Sequence, residues 1–333
     1  MLSRVAERIY WLARYLERAE NTARLVSTYH FLLMDLPRGA QLGWQALPVI
    51  TGGQALFAEH YLRQDERNTV KFLLADAFNP SSLINSIAWA RENCRTSREE
   101  LPGAAWEQIN EFHLFVADQV MEALTRRGRF VFLTGVIRRC QQLTGLLHGV
   151  MSRGHAYEFI DLGRYLERAD MTSRVIDIGT QSHPLSYQSR DETGKIDVHV
   201  WTSILRALSA YQMYRKDLRI AVNDTDVAAY LLHDGNFPRS IRHCLDEAES
   251  CLGNLPLHGD MLRRVRAARH YLDDIKPGEL DGPGLHQGLD TLQIGISGIH
   301  EGIRKTWFTH LHQAENPDGP NLMRQAAGQS PPA

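Results

Sequence analysis

Arg14-Tyr15-Leu16-Glu17-Arg18-Ala19-Glu20-Asn21-Thr22-Ala23-Arg24-Leu25-Val26 returns as Arg164-Tyr165-Leu166-Glu167-Arg168-Ala169-Asp170-Met171-Thr172-Ser173-Arg174-Val175-Ile176, with eight of thirteen positions identical. The displacement, from 14 to 164, is 150 residues, about the size of one domain, so it reads as a duplicated unit rather than a short solenoid period. Other landmarks recur in the same order: Trp44 and Trp201, Asp76 and Asp234, Pro80 and Pro238, Ser82 and Ser240, Leu101-Pro102 and Leu255-Pro256.

The first copy lies in a run, residues 3–36, that contains neither Gly nor Pro. Within it Val5, Ile9, Leu12, Leu16, Ala19, Ala23, Val26, His30 and Leu33 alternate at spacings of four and three, the pattern of a long amphipathic helix with a bundle-type seam. Phe159, Leu162, Leu166, Ala169, Ser173 and Ile176 trace the same stripe in the second copy. Helical spacing also runs through 54–75, 81–101, 104–125 and 130–152, and then through 197–221, 225–234, 239–253, 259–275 and 285–312. Long alternating runs of the β type are absent, so the sequence predicts an all-α, multi-helix bundle built from two pseudo-equivalent repeats. The expected division is 1–150 and 151–313, packed as one body, with a disordered tail over 314–333 that is rich in Pro, Gly, Asn and Gln. Asn79-Pro80-Ser81-Ser82 and Phe237-Pro238-Arg239-Ser240 read as helix starts, and Gly288, Gly295, Gly298 and Gly302 as a ridge for close helix packing.

A formal charge of −2 gives no sign of a nucleic-acid partner or an anionic membrane, and no uninterrupted apolar stretch of spanning length occurs. Cys94, Cys140, Cys244 and Cys251 are widely spaced with no Cys-x-x-Cys, as expected of buried reduced thiols in a cytoplasmic protein. Phosphate-binding loops, dinucleotide fingerprints and nucleophile elbows are missing from the sequence, and no cofactor is expected.

The chemistry therefore concentrates in the repeated charges: Arg14, Glu17, Arg18, Glu20 and Arg24, with Arg164, Glu167, Arg168, Asp170 and Arg174. On a helical wheel Glu20 borders the apolar stripe, Glu17 and Arg24 follow on the same flank, and Arg14 points away from it. Exposed ion pairs stabilise by only about 0 to 1 kcal/mol, so two copies of the same pattern point to an interior role. One reading pairs Glu17 with Arg168 and Glu167 with Arg18 inside a layered bundle; breaking such a pair from one side costs roughly 3 to 5 kcal/mol. The other reading is a polar pocket in which arginines bind a carboxylate or phosphate and the acids act as base or ligand. A di-iron-type metal site is disfavoured because Glu17-x-x-Glu20 and Glu167-x-x-Asp170 lack the partnering Glu-x-x-His, so no metal is expected. A second polar group, Arg91, Glu92, Asn93, Arg95 and Arg98, offers either an inter-helix ion network or a grip for peptide carboxylate and amide groups. In the second half Arg242, Asp246 and Glu249 form a weaker echo.

The repeated Arg-Tyr-Leu-Glu-Arg-Ala-(Glu/Asp) resembles the signature of the Alpha-E family, a bacterial α-helical domain. The likeness extends through Met1-Leu2-Ser3-Arg4-Val5-Ala6-Glu7, Tyr10-Trp11-Leu12, Asn79-Pro80-Ser82, Ala90-Arg91-Glu92-Asn93-Cys94-Arg95 and Gly163-Arg164-Tyr165. Ala156-Tyr157 departs from the family's Gly-Trp, and Cys94 and Thr96 replace smaller or aliphatic residues. The resemblance implies bacterial systems that pair such a domain with a circularly permuted ATP-grasp protein and a transglutaminase-like peptidase, and that make, tag or trim small peptides. It places this chain as the helical partner that docks the ligase or holds its peptide substrate. A stand-alone enzyme using the repeated acids, and a purely structural bundle, are the alternatives.

Overall fold

The computed structural model describes residues 2–35, 43–181 and 190–308, with backbone alone at 181 and 190–197. It is all-α: no strand occurs among the described residues. In chain order the helices are α1 (Ser3–Asp35), α2 (Ala46–Ile50), α3 (Gln54–His60), α4 (Glu66–Leu74), α5 (Leu83–Arg95), α6 (Gly103–Gln119) and α7 (Arg126–Val150). Then follow α8 (His155–Gln181), α9 (Arg190–Ala207), α10 (Tyr211–Leu218), α11 (Asp224–His233), α12 (Ile241–Gly253), α13 (Gly259–Asp274) and α14 (Gly282–Ile303), the last ending in a wide turn over Arg304–Phe308. The proposed tail from 314 lies outside the described residues.

The two motif helices, α1 and α8, pack against each other at the centre. Around α1 stand α5, α7 and α9; around α8 stand α12 and α14. This arrangement explains why the apolar stripe understates burial: Arg14, Glu17, Glu20, Asn21 and Thr22 are buried along with Ile9, Leu12, Ala19 and Ala23. Arg14 points away from the stripe as expected, but the space it enters belongs to α8.

Helix starts are set by short polar side chains that accept from an otherwise orphaned amide. Asp65 accepts from Asn68 N, Ser82 from Asn85 N, Thr125 from Gly128 N, Ser240 from His243 N and Asp281 from Gly284 N. The Thr125 cap carries α7 straight through Gly128, which punctuation alone would have placed outside the helix. The run 54–75 is not one helix. Tyr61 leaves the helical line, stacks on Phe57 at 5.1 Å and donates to Asp76 at 2.6 Å, and the Asp65 cap then begins α4. The run 197–221 also breaks, at Ser209, whose φ of 55° lies in the left-handed region and whose hydroxyl accepts from Arg24.

The glycine ridge on α14 packs closely only at its end. A Cβ on Gly302 would sit 2.5 Å from Met261 Sδ, whereas Gly288 and Gly295 have ordinary contacts and Gly298 faces open space. The close approach that governs the fold lies elsewhere. A Cβ on Gly163 would meet the Tyr10 carbonyl oxygen at 2.4 Å, because α8 crosses α1 there with nothing between the backbones. Backbone cannot rotate aside as a side chain can, so Gly163→Ala is expected to destabilise by about 1 to 3 kcal/mol through overpacking. Denaturant unfolding with Gly154→Ala, where a Cβ meets nothing within 4 Å, as control would measure it; equal effects at both sites would remove the crossing as the cause.

Candidate functional site

Where α1 and α8 cross, Glu17 and Glu167 each retain only 3% exposure. Burial on that scale raises a carboxyl pKa unless cations are held against it. Arg168 forks onto Glu17, with Nε to Oε1 at 3.0 Å and Nη2 to Oε2 at 2.8 Å. Reciprocally, Arg18 forks onto Glu167 at 2.6 and 3.1 Å. Each carboxylate then takes a second arginine: Arg14 reaches Glu167 Oε2 at 2.6 Å, and Arg239 reaches Glu17 Oε1 at 2.7 Å. Arg239 continues to Asn21 at 2.8 Å and Glu20 at 2.9 Å, and Glu20 also holds Arg24 at 2.7 Å. Arg174 pairs with Asp170 at 3.0 Å in the matching place.

The departure from reciprocity is at Arg164, which bonds Asp161 at 2.6 Å instead of Glu17. Subtracting the 150-residue offset puts Trp11 at the place of Asp161, and Arg14 stacks over that ring at 5.1 Å while its Nε serves Glu167. From Arg14 the network runs outward: Nη1 donates to the Tyr10 hydroxyl at 3.3 Å, which lies 3.0 Å from His300 Nδ1.

The electrostatics follow the geometry. Burial pulls the Glu167 carboxyl upward, but the Arg18 and Arg14 guanidinium groups override it and hold the group at about 2. Glu17 is lowered further still, burial again being outweighed by Arg168 and Arg239. Burial, then Arg14, brings His300 down to about 3, so its imidazole is neutral at physiological pH. Burial raises Cys140 well above the ordinary thiol range and Cys244 to about 12, leaving both thiols protonated beside the network. A carboxylate locked in its ionised form between two guanidinium groups is a poor proton acceptor.

The second polar group does not converge on one point. Arg91 donates to Asn110 at 2.8 Å and lies over the Trp106 ring at 5.2 Å, Arg98 covers the same ring at 3.9 Å, and Arg95 pairs with its own neighbour Glu92 on the surface. Asn93 is buried. In the second half Arg269 bridges Asp246 and Glu249 across α12 and α13, and Arg242 pairs with Asp273. Among the described residues, one group of three possible metal ligands comes together, Asp177, His286 and Asp290. His286 Nδ1 lies 2.7 Å from Asp177 and Nε2 lies 3.6 Å from Asp290, and the hydrogen bond with Asp177 raises its pKa, an arrangement that favours imidazolium over a metal ligand.

Arg239 is the network member that spacing did not reveal, because Pro238-Arg239-Ser240 was read as a helix start alone. The signal was present. At the offset of 158 that joins Pro80 to Pro238, its counterpart is Ser81, so an arginine stands where the first copy carries a small neutral residue.

An all-α chain whose central helices are joined through Glu-Arg pairs is the class that fold and site define. The chain belongs to the Alpha-E family, described as a predicted alpha-helical domain with a conserved ER motif, which matches residues 1–308. Uncharacterized proteins of Mycobacterium bovis and Mycobacterium tuberculosis (strains CDC 1551 and H37Rv) are 23% identical to it over 333 residues. The match covers 90% of this chain and 36% of theirs, so the chain spans about a third of the length of these relatives. No solved structure matches.

Two outcomes test the clamp. Glu17→Gln is expected to destabilise by about 3 to 5 kcal/mol, since it leaves buried arginines uncompensated. Arg168→Gln added to it should cost far less than in the wild type; strict additivity in that double-mutant cycle would show that the two side chains act independently. The second outcome concerns acid. Carboxyls depressed in the folded state stabilise fully above their unfolded pKa of about 4.3, and that stabilisation drains as pH falls toward the folded value. Thermal melts of wild type and Glu167→Gln should therefore differ widely at pH 6 and converge between pH 4.3 and about 2. A gap unchanged over that window would contradict the depressed carboxyl.

Proposed function

We propose that this chain is the helical, non-catalytic component of a bacterial peptide synthesis, tagging or modification system, docking a circularly permuted ATP-grasp ligase or holding its peptide. A transglutaminase-like peptidase completes the set in the cytoplasm. The observation that carries this reading is the saturation of the Glu-Arg motif: Glu17, Glu20, Glu167 and Asp170 each face a guanidinium within 3.0 Å. Acids engaged in this way hold the two helices in register, and no reaction is asked of them. The match to a third of much longer relatives supports a module that works beside other domains.

The test is reconstitution of the full chain with the purified ATP-grasp protein from the same genome, following ADP release with peptide substrates. The chain alone is expected to turn nothing over, and its addition to co-elute with the ligase and raise peptide-dependent ADP release at least tenfold. Turnover by the chain alone would return the repeated acids to a catalytic role. An unaffected ligase would remove the partnership.

A further inference from the structure

Between α9, α10 and the segment 220–222 lies an open cavity of about 540 Å³, within the range that small ligands occupy. Its walls carry Arg215 and Arg219 beside Tyr211, Thr202, Val198 and Ile220, and no carboxylate lines it among the described residues. Neither arginine has an ion-pair or hydrogen-bond partner among the described residues; Arg215 instead lies 5.8 Å over the Tyr211 ring. Two exposed guanidinium groups converging on one hollow create a local positive field that the near-neutral chain does not cancel there.

The backbone adds a second, independent feature. After α10 the chain runs through Ile220, Ala221 and Val222 without regular structure, and none of their N–H groups donates to another described residue. An irregular stretch with free donors beside a groove is the arrangement that accepts an added extended peptide through main-chain hydrogen bonds. Arg219 itself stands at φ 55°, in the left-handed region where a residue with a Cβ is strained and glycine is not. It is the C-cap of α10, where the left-handed turn ends the helix and directs the side chain beside the groove.

We propose that this groove binds a short acidic peptide in extended form, its carboxylates paired with Arg215 and Arg219 and its backbone laid along 220–222. The apolar half of the lining, Val198, Ile220 and Val222, takes an aliphatic side chain of the same peptide. Carboxylate is favoured over phosphate because the described lining offers planar guanidinium forks and an apolar wall that suits a peptide's aliphatic side chain. The choice of a peptide as ligand rests in part on the function proposed above, while the site itself shares no residue with the Glu-Arg clamp.

Calorimetric titration of the full chain with acetyl-glutamyl-leucine, which carries two carboxylates and one aliphatic side chain, tests the groove without any ligase. Saturable binding is expected, weakened at least tenfold by Arg215→Gln or Arg219→Gln, and lost for acetyl-glutaminyl-leucinamide, which has no charge. Arg219→Gly is expected to weaken binding equally while leaving the melting temperature the same or higher, a combination that a merely structural arginine would not give. Wild-type affinity in either Gln variant, equal binding of the uncharged peptide, competition by inorganic phosphate at the peptide's own concentration, or no binding at millimolar peptide would each overturn the assignment. Loss of peptide binding with ligase stimulation intact would sink the groove alone; intact binding with no stimulation would sink the partnership alone.

Discussion

Two carboxylates placed in the dry centre of a helical protein dictate much of what surrounds them. Each costs several kcal/mol to remove from water, and the cost is offset only when cations approach with good geometry and the remaining lone pairs are filled. Glu17 and Glu167 meet that condition with two guanidinium groups apiece, all at or below 3.1 Å. Because each main pair reaches from α1 to α8, a slide of one helix by a single turn would break both crossed forks. Apolar stripes tolerate such slips; crossed forks do not. The close approach of Gly163 to the Tyr10 carbonyl fixes the two helices near the clamp as well.

Much of the helical plan was legible because it rests on local chemistry. Periodicity found the long first helix nearly to the residue, whereas Pro80 and Pro238, expected in the first turn of their helices, stand two residues before the Ser82 and Ser240 caps that start them. The breaks were not legible, since Tyr61 and Ser209 leave the helix for partners far away in the chain or after it, Asp76 and Arg24. The reciprocal pairs could be anticipated from two copies of one motif. Arg239 and His300 could not be placed by that route, because a wheel drawn for one helix carries no information about a third helix. The same limit hid Arg215 and Arg219, whose interest lies in what they fail to contact.

Where the copies differ, the chemistry differs with them. Trp11 in the first copy and Asp161 in the second decide whether the neighbouring arginine remains available for the opposite glutamate or is captured on its own helix. The shortfall on the Glu17 side is made up by Arg239, supplied from the start of α12. The second guanidinium at each acid thus comes by different means, from Arg14 inside the motif for Glu167 and from Arg239 outside it for Glu17.

The centrality of α1 carries a consequence for how the protein is made. It leaves the ribosome well before its main partner, α8, which begins at His155, and Tyr10 closes against His300 and Phe308. At synthesis rates of about 5 to 20 residues per second, α1 waits on the order of six to thirty seconds before α8 exists. During that time the arginines and glutamates of the motif are in water, where their charges keep an otherwise apolar helix soluble. The groups that lock the finished core are thus the ones that protect its first segment from premature association.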